Sequence, residues 1–194
     1  MERKSTIKRK TKETDISFEI ILEKEEEAKI NTQISFFDHM LEHIARHGNV
    51  KINISAIGDI NVDFHHTVED VGIVFGNALV EALGEKKGIN RYGWASIPMD
   101  EALANVSIDF SGRACLVYNV IFKNDKIGNF DVELIREFFQ ALCQNAKMTL
   151  HINVPYGDNS HHVAEAIFKA FGKALRTATA YSGLNDIPST KGIL

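Results

Sequence analysis

The chain has 194 residues, of which 44% are hydrophobic and 25% are charged, and its formal net charge is −4. This length suits one large domain or two small fused ones, and the composition is ordinary for a soluble globular protein. The negative balance argues against general nucleic-acid affinity, which needs a basic surface, and no apolar run approaches the roughly 18 residues of a membrane span.

The cysteines and the N-terminus indicate the cellular setting. The two cysteines, Cys115 and Cys143, are too few for a disulfide framework. They fall in a strand-like and a helix-like segment, so we expect buried free thiols. The first residues are charged and lack the apolar core of a secretory signal. We therefore expect a cytoplasmic protein that binds neither nucleic acid nor membranes.

The first half of the chain combines two kinds of hydrophobic pattern. Alternation of apolar and polar residues predicts strands, and apolar residues three or four apart predict amphipathic helices. In chain order, the patterns predict strands over 14–23 and 28–34, a helix over 37–47, a strand over 50–54 and a helix over 67–83.

The second half repeats this order. Its patterns predict strands over 102–110 and 114–122, a helix over 132–142, a strand over 148–152 and a helix over 161–179. A ββαβα order found twice indicates an internal duplication. We predict a single α+β domain over residues 1–194, built of repeats at about 1–88 and 89–194, with sheets backed by helices. Two loosely linked domains are the alternative, which the short join at 88–98 disfavours because it does not resemble a linker.

Each half also contains the pattern His-His-x-x-Glu at the start of its last predicted helix. The two copies comprise His65, His66 and Glu69 in the first half and His161, His162 and Glu165 in the second. The short strands of the two halves align at an offset of 98, and the histidine pairs at 96, because the second loop is two residues shorter. The offset of 98 also places Glu137 at the position of His39.

This doubled motif points to a metal site. Residues three or four apart share one face of a helix, whereas adjacent histidines diverge and suit two different ions. Imidazole and carboxylate ligands without thiolate favour manganese, iron or zinc, and octahedral geometry would favour Mn²⁺ or Fe²⁺. A single copy fits a capped helix start with solvated histidines equally well, and the doubling favours metal. The candidate ligands are His39, His65, His66, Glu69, Glu137, His161, His162 and Glu165.

Two further histidines share the helix of His39. His43 and His47 correspond to Ala141 and Asn145 in the second half, so we expect packing or solvated roles for them. Separately, several cations and a hydroxyl are suited to phosphate, although each taken singly is more often a surface group. They are Arg91, Arg113, Lys169, Ser189 and Lys191.

Together these residues resemble the imidazoleglycerol-phosphate dehydratase family of histidine biosynthesis. The matching segments are FFDHMLEHIARHG, DFHHTVEDVGI, SGRA, DNSHHVAEAIFKAFGKALR and STKGIL. The resemblance implies a duplicated fold of the left-handed βαβ type shared with a ribosomal small-subunit protein domain. It also implies two Mn²⁺ ions per active site, with ligands drawn from neighbouring subunits of a large octahedral homo-oligomer.

The resemblance further implies roles for single residues. The metal ligands would be the histidines and glutamates of the two motifs together with His39, and many members have a histidine where this chain has Glu137. The cations above and Ser189 would contact phosphate. Glu13 matches a family glutamate at the substrate and is our candidate for proton transfer, which makes Glu13, Glu69 and Glu165 the expected catalytic carboxylates. The implied reaction removes water from D-erythro-imidazoleglycerol phosphate and gives imidazole acetol phosphate.

Two other functions use the same groups. A di-metal hydrolase would activate water at these ligands and release inorganic phosphate. A metal-storage shell would bind ions without catalysis. The predicted strands and the reversed motif differ from ferritin-like bundles, which use Glu-x-x-His on long helices.

Overall fold

The computed structural model describes residues 2–24 and 26–194. Its elements follow the predicted alternation of strands and helices. In chain order they are β1 (Lys4–Lys10), β2 (Thr14–Leu22), β3 (Lys29–Asn31), α1 (Ser35–Gly48), β4 (Val50–Gly58), α2 (His65–Leu83), β5 (Tyr92–Met99), β6 (Ala102–Asp109), β7 (Cys115–Asn119), β8 (Lys126–Ile127), β9 (Phe130–Asp131), α3 (Glu133–Ala146), β10 (Thr149–Tyr156) and α4 (Ser160–Thr179).

The strands form two four-stranded sheets of the same topology. Their orders are β1-β2-β4-β3 and β5-β6-β10-β7, and β8 and β9 form a separate small hairpin. In each large sheet the last strand in the order runs parallel to its neighbour, so β3 to β4 and β7 to β10 are parallel pairs. A parallel pair needs a crossover, which α1 and α3 provide. The α+β fold with two sheets backed by helices is therefore confirmed.

The large sheet of each half contains one strand more than the sequence patterns predicted, and the second half also has the unpredicted β8–β9 hairpin. β1 and β5 are the added strands, and both lie at a sheet edge. β1 has the sequence KSTIKRK, in which a single isoleucine interrupts polar residues, so its pattern carries too little hydrophobic signal to predict a strand. β5 occupies most of the predicted join between the repeats, where it pairs with β6 along its whole length. Without the β8–β9 hairpin, each half is thus βββαβα.

The offset of 98 residues between the repeats is found at both ends of the crossover helices α1 and α3. Ser35–Gly48 and Glu133–Ala146 begin and end 98 residues apart. Both helices are followed by a left-handed residue, Asn49 with φ of 52° and Lys147 with φ of 49°. The predicted crossover helices are therefore equivalent in detail, which supports the alignment of His39 with Glu137.

The motif helices α2 and α4 also start in the same way. The Asp63 side chain accepts a hydrogen bond from the His65 backbone N–H at 2.8 Å, and Asn159 accepts one from the His161 N–H at 2.9 Å. Such caps satisfy backbone donors that a helix start leaves unpaired. Each histidine pair therefore begins a helix whose first turn is fixed.

The two halves share one continuous hydrophobic core, to which all four helices contribute. α2 packs closely on α3, because a Cβ atom at Gly76 would lie only 2.7 Å from the Leu142 carbonyl oxygen. α1 packs on α4 at the equivalent place, where a Cβ at Gly172 would lie 3.0 Å from the Gly48 backbone nitrogen. Glycine is what allows the helix axes to come this near.

Among the residues that the structure describes, no helix combines the length and apolar character needed to cross a bilayer. The two thiols differ from each other. Cys143 is buried in α3 as expected, and burial raises the pKa of its thiol to about 12. The expectation of burial is wrong for Cys115, which is exposed on β7. β7 is a sheet edge, and its outward-facing positions are not covered by the helices of this chain.

Candidate metal and substrate site

One group of potential metal ligands lies between α1 and α4. It comprises His39, His43 and Glu165, whose ligand atoms all lie within 4.8 Å of one another. The His39 Nε2 atom is 3.4 Å from Glu165 Oε1, and the His43 Nε2 atom is 3.4 Å from Glu165 Oε2. One carboxylate thus faces two imidazoles that lie one turn apart on the facing helix.

Helix α4, which carries the second motif, places two more side chains against Glu165. His161 Nε2 is 2.9 Å from Glu165 Oε1, and Lys169 Nζ donates to Glu165 Oε2 at 2.6 Å. Glu165 is only 8% exposed. Burial by itself raises the pKa of its carboxyl, but hydrogen bonds from Lys169 and His39 more than offset this and hold the pKa at about 2. The carboxylate is therefore ionised at neutral pH and available to a cation.

His43 is a further candidate ligand that the sequence analysis did not select. It was expected to have a packing or solvated role; its side chain is 16% exposed, and its ring lies beside His39 with their Nε2 atoms 3.2 Å apart. Burial and the neighbouring His39 lower the pKa of His43 to about 4. A neutral imidazole with a free nitrogen is the form that binds metal. The spacing of four residues between the two histidines was the available signal.

The first motif has a similar local geometry without a lysine. His65 Nε2 is 3.7 Å from Glu69 Oε2, one turn further along α2. The His66 ring is held differently, with Nδ1 3.0 Å from Asp59 Oδ2 and Nε2 3.9 Å from Glu13 Oε1. Glu13 therefore lies beside a predicted metal ligand.

The remaining histidine of the second motif is held in the same manner. His162 Nδ1 is 2.7 Å from Glu101 Oε2, and its Nε2 is 3.7 Å from Asp100 Oδ2. The hydrogen bond from His162, followed by that from the Asn159 backbone, lowers the pKa of Glu101 to about 2. Neither Glu101 nor Asp59 was identified from the sequence, because both lie in loops outside the motif.

The two motifs do not share one group of ligand atoms within this chain. In residues 2–24 and 26–194, the only such group contains one motif residue, Glu165, with His39 and His43. Aromatic rings separate the two helix starts: the Phe36 ring contacts both His161 and Phe130, and Phe130 contacts Phe64, which precedes His65. The β8–β9 hairpin thus inserts Phe130 between the two motifs.

Glu137 lies apart from both groups. It is on α3, and its Oε1 atom lies 3.6 Å from Arg136 Nη1. With Arg136 and Tyr118 it lines a cavity of about 400 Å³. The structure shows no contact of Glu137 with a motif histidine in the described part of this subunit.

A second polar site surrounds Arg91. Its guanidinium forms a paired contact with Asp109, with Nε at 2.7 Å and Nη2 at 3.2 Å, and donates to the Pro188 carbonyl. These contacts raise the pKa of Arg91, chiefly through the hydrogen bond to Asp109. Arg91 and Ser189 line one cavity of about 440 Å³, so the structure brings these two predicted phosphate residues together.

The other predicted phosphate residues are distributed more widely. Arg113 lies in the turn after β6, where its Nη1 donates to the Ser111 carbonyl at 3.4 Å. Lys191 is exposed near the C-terminus, and its backbone N–H donates to the Ser189 hydroxyl. Lys169 instead contacts Glu165, in the group of potential metal ligands. Within this chain, therefore, the predicted phosphate residues do not form a single cluster.

The length of α4 separates the two sites. The Arg91 backbone N–H donates to the carbonyl of Ala178 near the end of this helix, whereas His161 lies at its start. A helix of 20 residues is about 30 Å long at a rise of roughly 1.5 Å per residue. A phosphate held at Arg91 and a metal held at His161 of the same chain are thus about 25 Å apart.

The chain is similar to proteins of known family. The family described as imidazoleglycerol-phosphate dehydratase has a sequence model that matches residues 32–175. The imidazoleglycerol-phosphate dehydratase of Geobacter sulfurreducens is 56% identical over 195 residues, an alignment that covers 100% of both chains. The enzyme of that name from Streptococcus gordonii is 53% identical over 193 residues and is matched over 99% of this chain and 100% of its own.

Solved structures show the same similarity. The imidazoleglycerol-phosphate dehydratase of Staphylococcus aureus superposes with a TM-score of 0.84 at 41% identity, covering 92% of this chain and 99% of its own. The Pyrococcus furiosus structure superposes with a TM-score of 0.85 at 39% identity, covering 97% and 100%. The chain therefore belongs to the imidazoleglycerol-phosphate dehydratase family, and it is a hydro-lyase with the two-repeat α+β fold of its relatives.

Proposed function

We propose that this chain dehydrates D-erythro-imidazoleglycerol phosphate to imidazole acetol phosphate in histidine biosynthesis, and that the reaction depends on two Mn²⁺ ions per active site. The relatives named above carry this activity in their names. The observation that supports it most directly is the group formed by His39, His43 and Glu165, whose ligand atoms converge within 4.8 Å. The proposal extends the function to metal dependence and to the choice of manganese.

The donor atoms fit such an ion. The group offers imidazole nitrogens and carboxylate oxygens, with no thiolate, which is a set that suits Mn²⁺ better than a structural zinc cage. His65, Glu69, His66 and His162 would supply the remaining ligands, together with His161. When bound, the metal would act as a Lewis acid on the imidazole ring and so favour loss of the neighbouring hydroxyl. Glu137 would ligate only through contact with another subunit.

The chain's own residues would move the protons. The hydroxyl leaves the carbon beside the ring, a proton leaves the adjacent carbon, and the resulting enol becomes the ketone. These steps need a base for the carbon proton and an acid for the departing hydroxide. Glu13 has a carboxylate 54% exposed and 3.9 Å from His66 Nε2, so it can reach a substrate held at that histidine. We assign proton transfer to Glu13.

Phosphate binding would involve a neighbouring subunit. Arg91 and Ser189 line one cavity, and that cavity lies about 25 Å from His161 along α4, which is further than this small substrate extends. We propose that the active site combines the metal ligands of one chain with Arg91, Arg113, Ser189 and Lys191 of another, and that the chains form an octahedral homo-oligomer. The whole chain would act as one domain of two repeats, in a reducing cytoplasm.

An assay with and without metal tests the proposal. Protein stripped by a chelator should lose turnover of imidazoleglycerol phosphate, and Mn²⁺ should restore it. The product should retain its phosphate, because a di-metal hydrolase would instead release inorganic phosphate. A Glu13→Gln variant should bind Mn²⁺ as the wild type does and lose turnover. Full activity in the metal-free protein would overturn the metal dependence.

Mixed oligomers test the shared site. Glu165→Gln lacks a metal ligand, and Arg91→Met lacks a phosphate contact, so each variant alone should be nearly inactive. After dissociation and reassembly together, some sites would combine the intact metal group of one chain with the intact Arg91 of another. Recovery of activity in the mixture supports sites between subunits, and its absence in a correctly reassembled oligomer would contradict them.

A further inference from the structure

Each histidine pair has one member whose Nδ1 atom is held by a carboxylate from another loop. His162 Nδ1 lies 2.7 Å from Glu101 Oε2, and His66 Nδ1 lies 3.0 Å from Asp59 Oδ2. A neutral imidazole that donates its Nδ1 proton to a carboxylate keeps a free lone pair on Nε2 alone. Each contact therefore fixes which nitrogen is free to coordinate a metal.

Glu101 is itself held rigidly. Its Oε1 atom accepts hydrogen bonds from the backbone N–H groups of Asp158 at 3.1 Å and Asn159 at 2.7 Å, directly before α4. Only its Oε2 atom is left to face His162. The side chain thus connects the β5–β6 turn to the start of the motif helix, and it aims one oxygen at one nitrogen.

We propose that Glu101 and Asp59 are positioning residues that set the tautomer of His162 and His66, so that each histidine presents Nε2 to a metal ion. The proposal rests on the metal-dependent function proposed above. It assigns these two carboxylates to the orientation of ligands, and neither would touch the substrate.

The repeat shows why Glu13 is free for another task. β1 pairs Lys10 with Asp15, and β5 pairs Pro98 with Leu103, so the two turns are equivalent at an offset of 88. This offset places Glu13 at the position of Glu101. In the second half the turn carboxylate, Glu101, holds His162. In the first half Asp59, which lies outside the turn, holds His66. The first half thereby keeps a turn carboxylate, Glu13, whose contact with an imidazole is only the 3.9 Å approach to His66 Nε2.

Replacing Glu101 by glutamine tests the tautomer directly. The two backbone donors would fix the amide oxygen in the place of Oε1, so the amide NH₂ would face His162 Nδ1. That nitrogen would then become the acceptor, and the proton would move to Nε2, where it blocks coordination. Glu101→Asp keeps a carboxylate but is shorter by one methylene group. If Glu101 only secures the loop, Glu101→Gln should retain Mn²⁺ affinity better than Glu101→Asp. If Glu101 sets the tautomer of His162, Glu101→Asp should retain it better.

The measurement is a titration of the metal-free oligomer with Mn²⁺. The electron paramagnetic resonance signal of free Mn²⁺ reports how much of the metal is bound. We expect Glu101→Gln to weaken one of the two ions per site by about 10- to 100-fold, Glu101→Asp to weaken it less, and the exposed control Asp15→Asn to match the wild type. Asp59→Asn should have a smaller effect than Glu101→Gln, because both Asp59 oxygens lie within 3.2 Å of Nδ1 and the amide is free to turn its oxygen towards it.

The order of Mn²⁺ affinity between the two Glu101 variants decides the outcome. This order is informative even if either variant lowers the melting temperature of the metal-free protein. Binding by Glu101→Gln equal to or tighter than that by Glu101→Asp would overturn the proposal while leaving the metal-dependent function intact. If the wild type bound no Mn²⁺, the metal dependence itself would fail, and this proposal with it.

Discussion

Lys169 donates to Glu165 Oε2 at 2.6 Å across one turn of α4, so a cation from the protein already occupies one oxygen of the expected metal ligand. The same lysine nitrogen lies 3.2 Å from the Met99 sulfur, and its side chain is 17% exposed. Metal binding at Glu165 would release Lys169, and a substrate phosphate is a suitable new partner for it. This contact would link metal binding to substrate binding through one side chain.

Lys169→Met tests this link. The variant should bind Mn²⁺ at least as tightly as the wild type, because a competing positive charge is gone. Its KM for imidazoleglycerol phosphate should rise by ten-fold or more, as expected for the loss of a charged hydrogen bond of about 1.5–3 kcal/mol. Lys173→Met, an exposed position one turn further along α4, serves as the control. Weaker Mn²⁺ binding with an unchanged KM would contradict the assignment.

The metal-free protein should lose stability in mildly acidic solution because of His43. Burial and the nearby His39 lower its pKa from 6.5 to about 4 in the folded state. The unfolded chain therefore takes up this proton first, and the contribution of His43 is complete above pH 6.5 and lost as the pH falls towards 4. With allowance for partial solvent exposure, we expect about 1–3 kcal/mol per chain.

Urea unfolding of the metal-free protein between these two pH values measures the effect. His43→Gln should show a shallower pH dependence than the wild type, since it has no group to protonate at this position. His151→Gln, on an exposed strand position, should keep the wild-type dependence. Parallel curves for the wild type and His43→Gln would show that the His43 ring is not held in its neutral form.

Asp70 should act on catalysis through the turn that carries Glu13. This buried carboxylate accepts from Arg9 Nε at 3.1 Å and from the Thr14 hydroxyl, and both partners flank the turn between β1 and β2. Asp70→Asn removes the charge from this network and should loosen the turn. We expect kcat to fall at least ten-fold while Mn²⁺ affinity stays within a few-fold of the wild type. A fall in Mn²⁺ affinity with unchanged kcat would place Asp70 at the metal instead.

The helix contact between the halves should be sensitive to a single methyl group. A Cβ at Gly76 would lie 2.7 Å from the Leu142 carbonyl, whereas a Cβ at the equivalent Gly172 would meet its nearest atom at 3.0 Å. We expect Gly76→Ala to cost about 1–3 kcal/mol through overpacking, and Gly172→Ala to cost less. Unfolding midpoints of the two variants give the comparison. Wild-type stability in Gly76→Ala would mean that α2 and α3 separate without strain.

The sequence predicted the metal motifs and the duplication because both leave regular signals. Apolar spacing located all four helices, and the offset of 98 matched α1 to α3 at both ends. β1 was missed because its residues are mostly polar and exposed. It forms a strand through its pairing with β2, which its own sequence pattern does not indicate.

His43 was not selected for a different reason. Its counterpart Ala141 suggested a packing or solvated role, but duplicated halves diverge, and packing of α1 on α4 brings His43 to Glu165. Glu101 and Asp59 could not be identified for a third reason. Their contacts with His162 and His66 are hydrogen bonds between loops and helices, which the spacing of residues along the chain does not predict.

Asp59 makes the two halves of this chain chemically unequal. It lies in the loop before α2, where the first half is two residues longer than the second. A protein made from two copies of the second half would commit both turn carboxylates to its histidines. We expect such a protein to bind metal and leave the substrate unchanged. In this chain Asp59 holds His66, which leaves Glu13 available for the proton transfer proposed above.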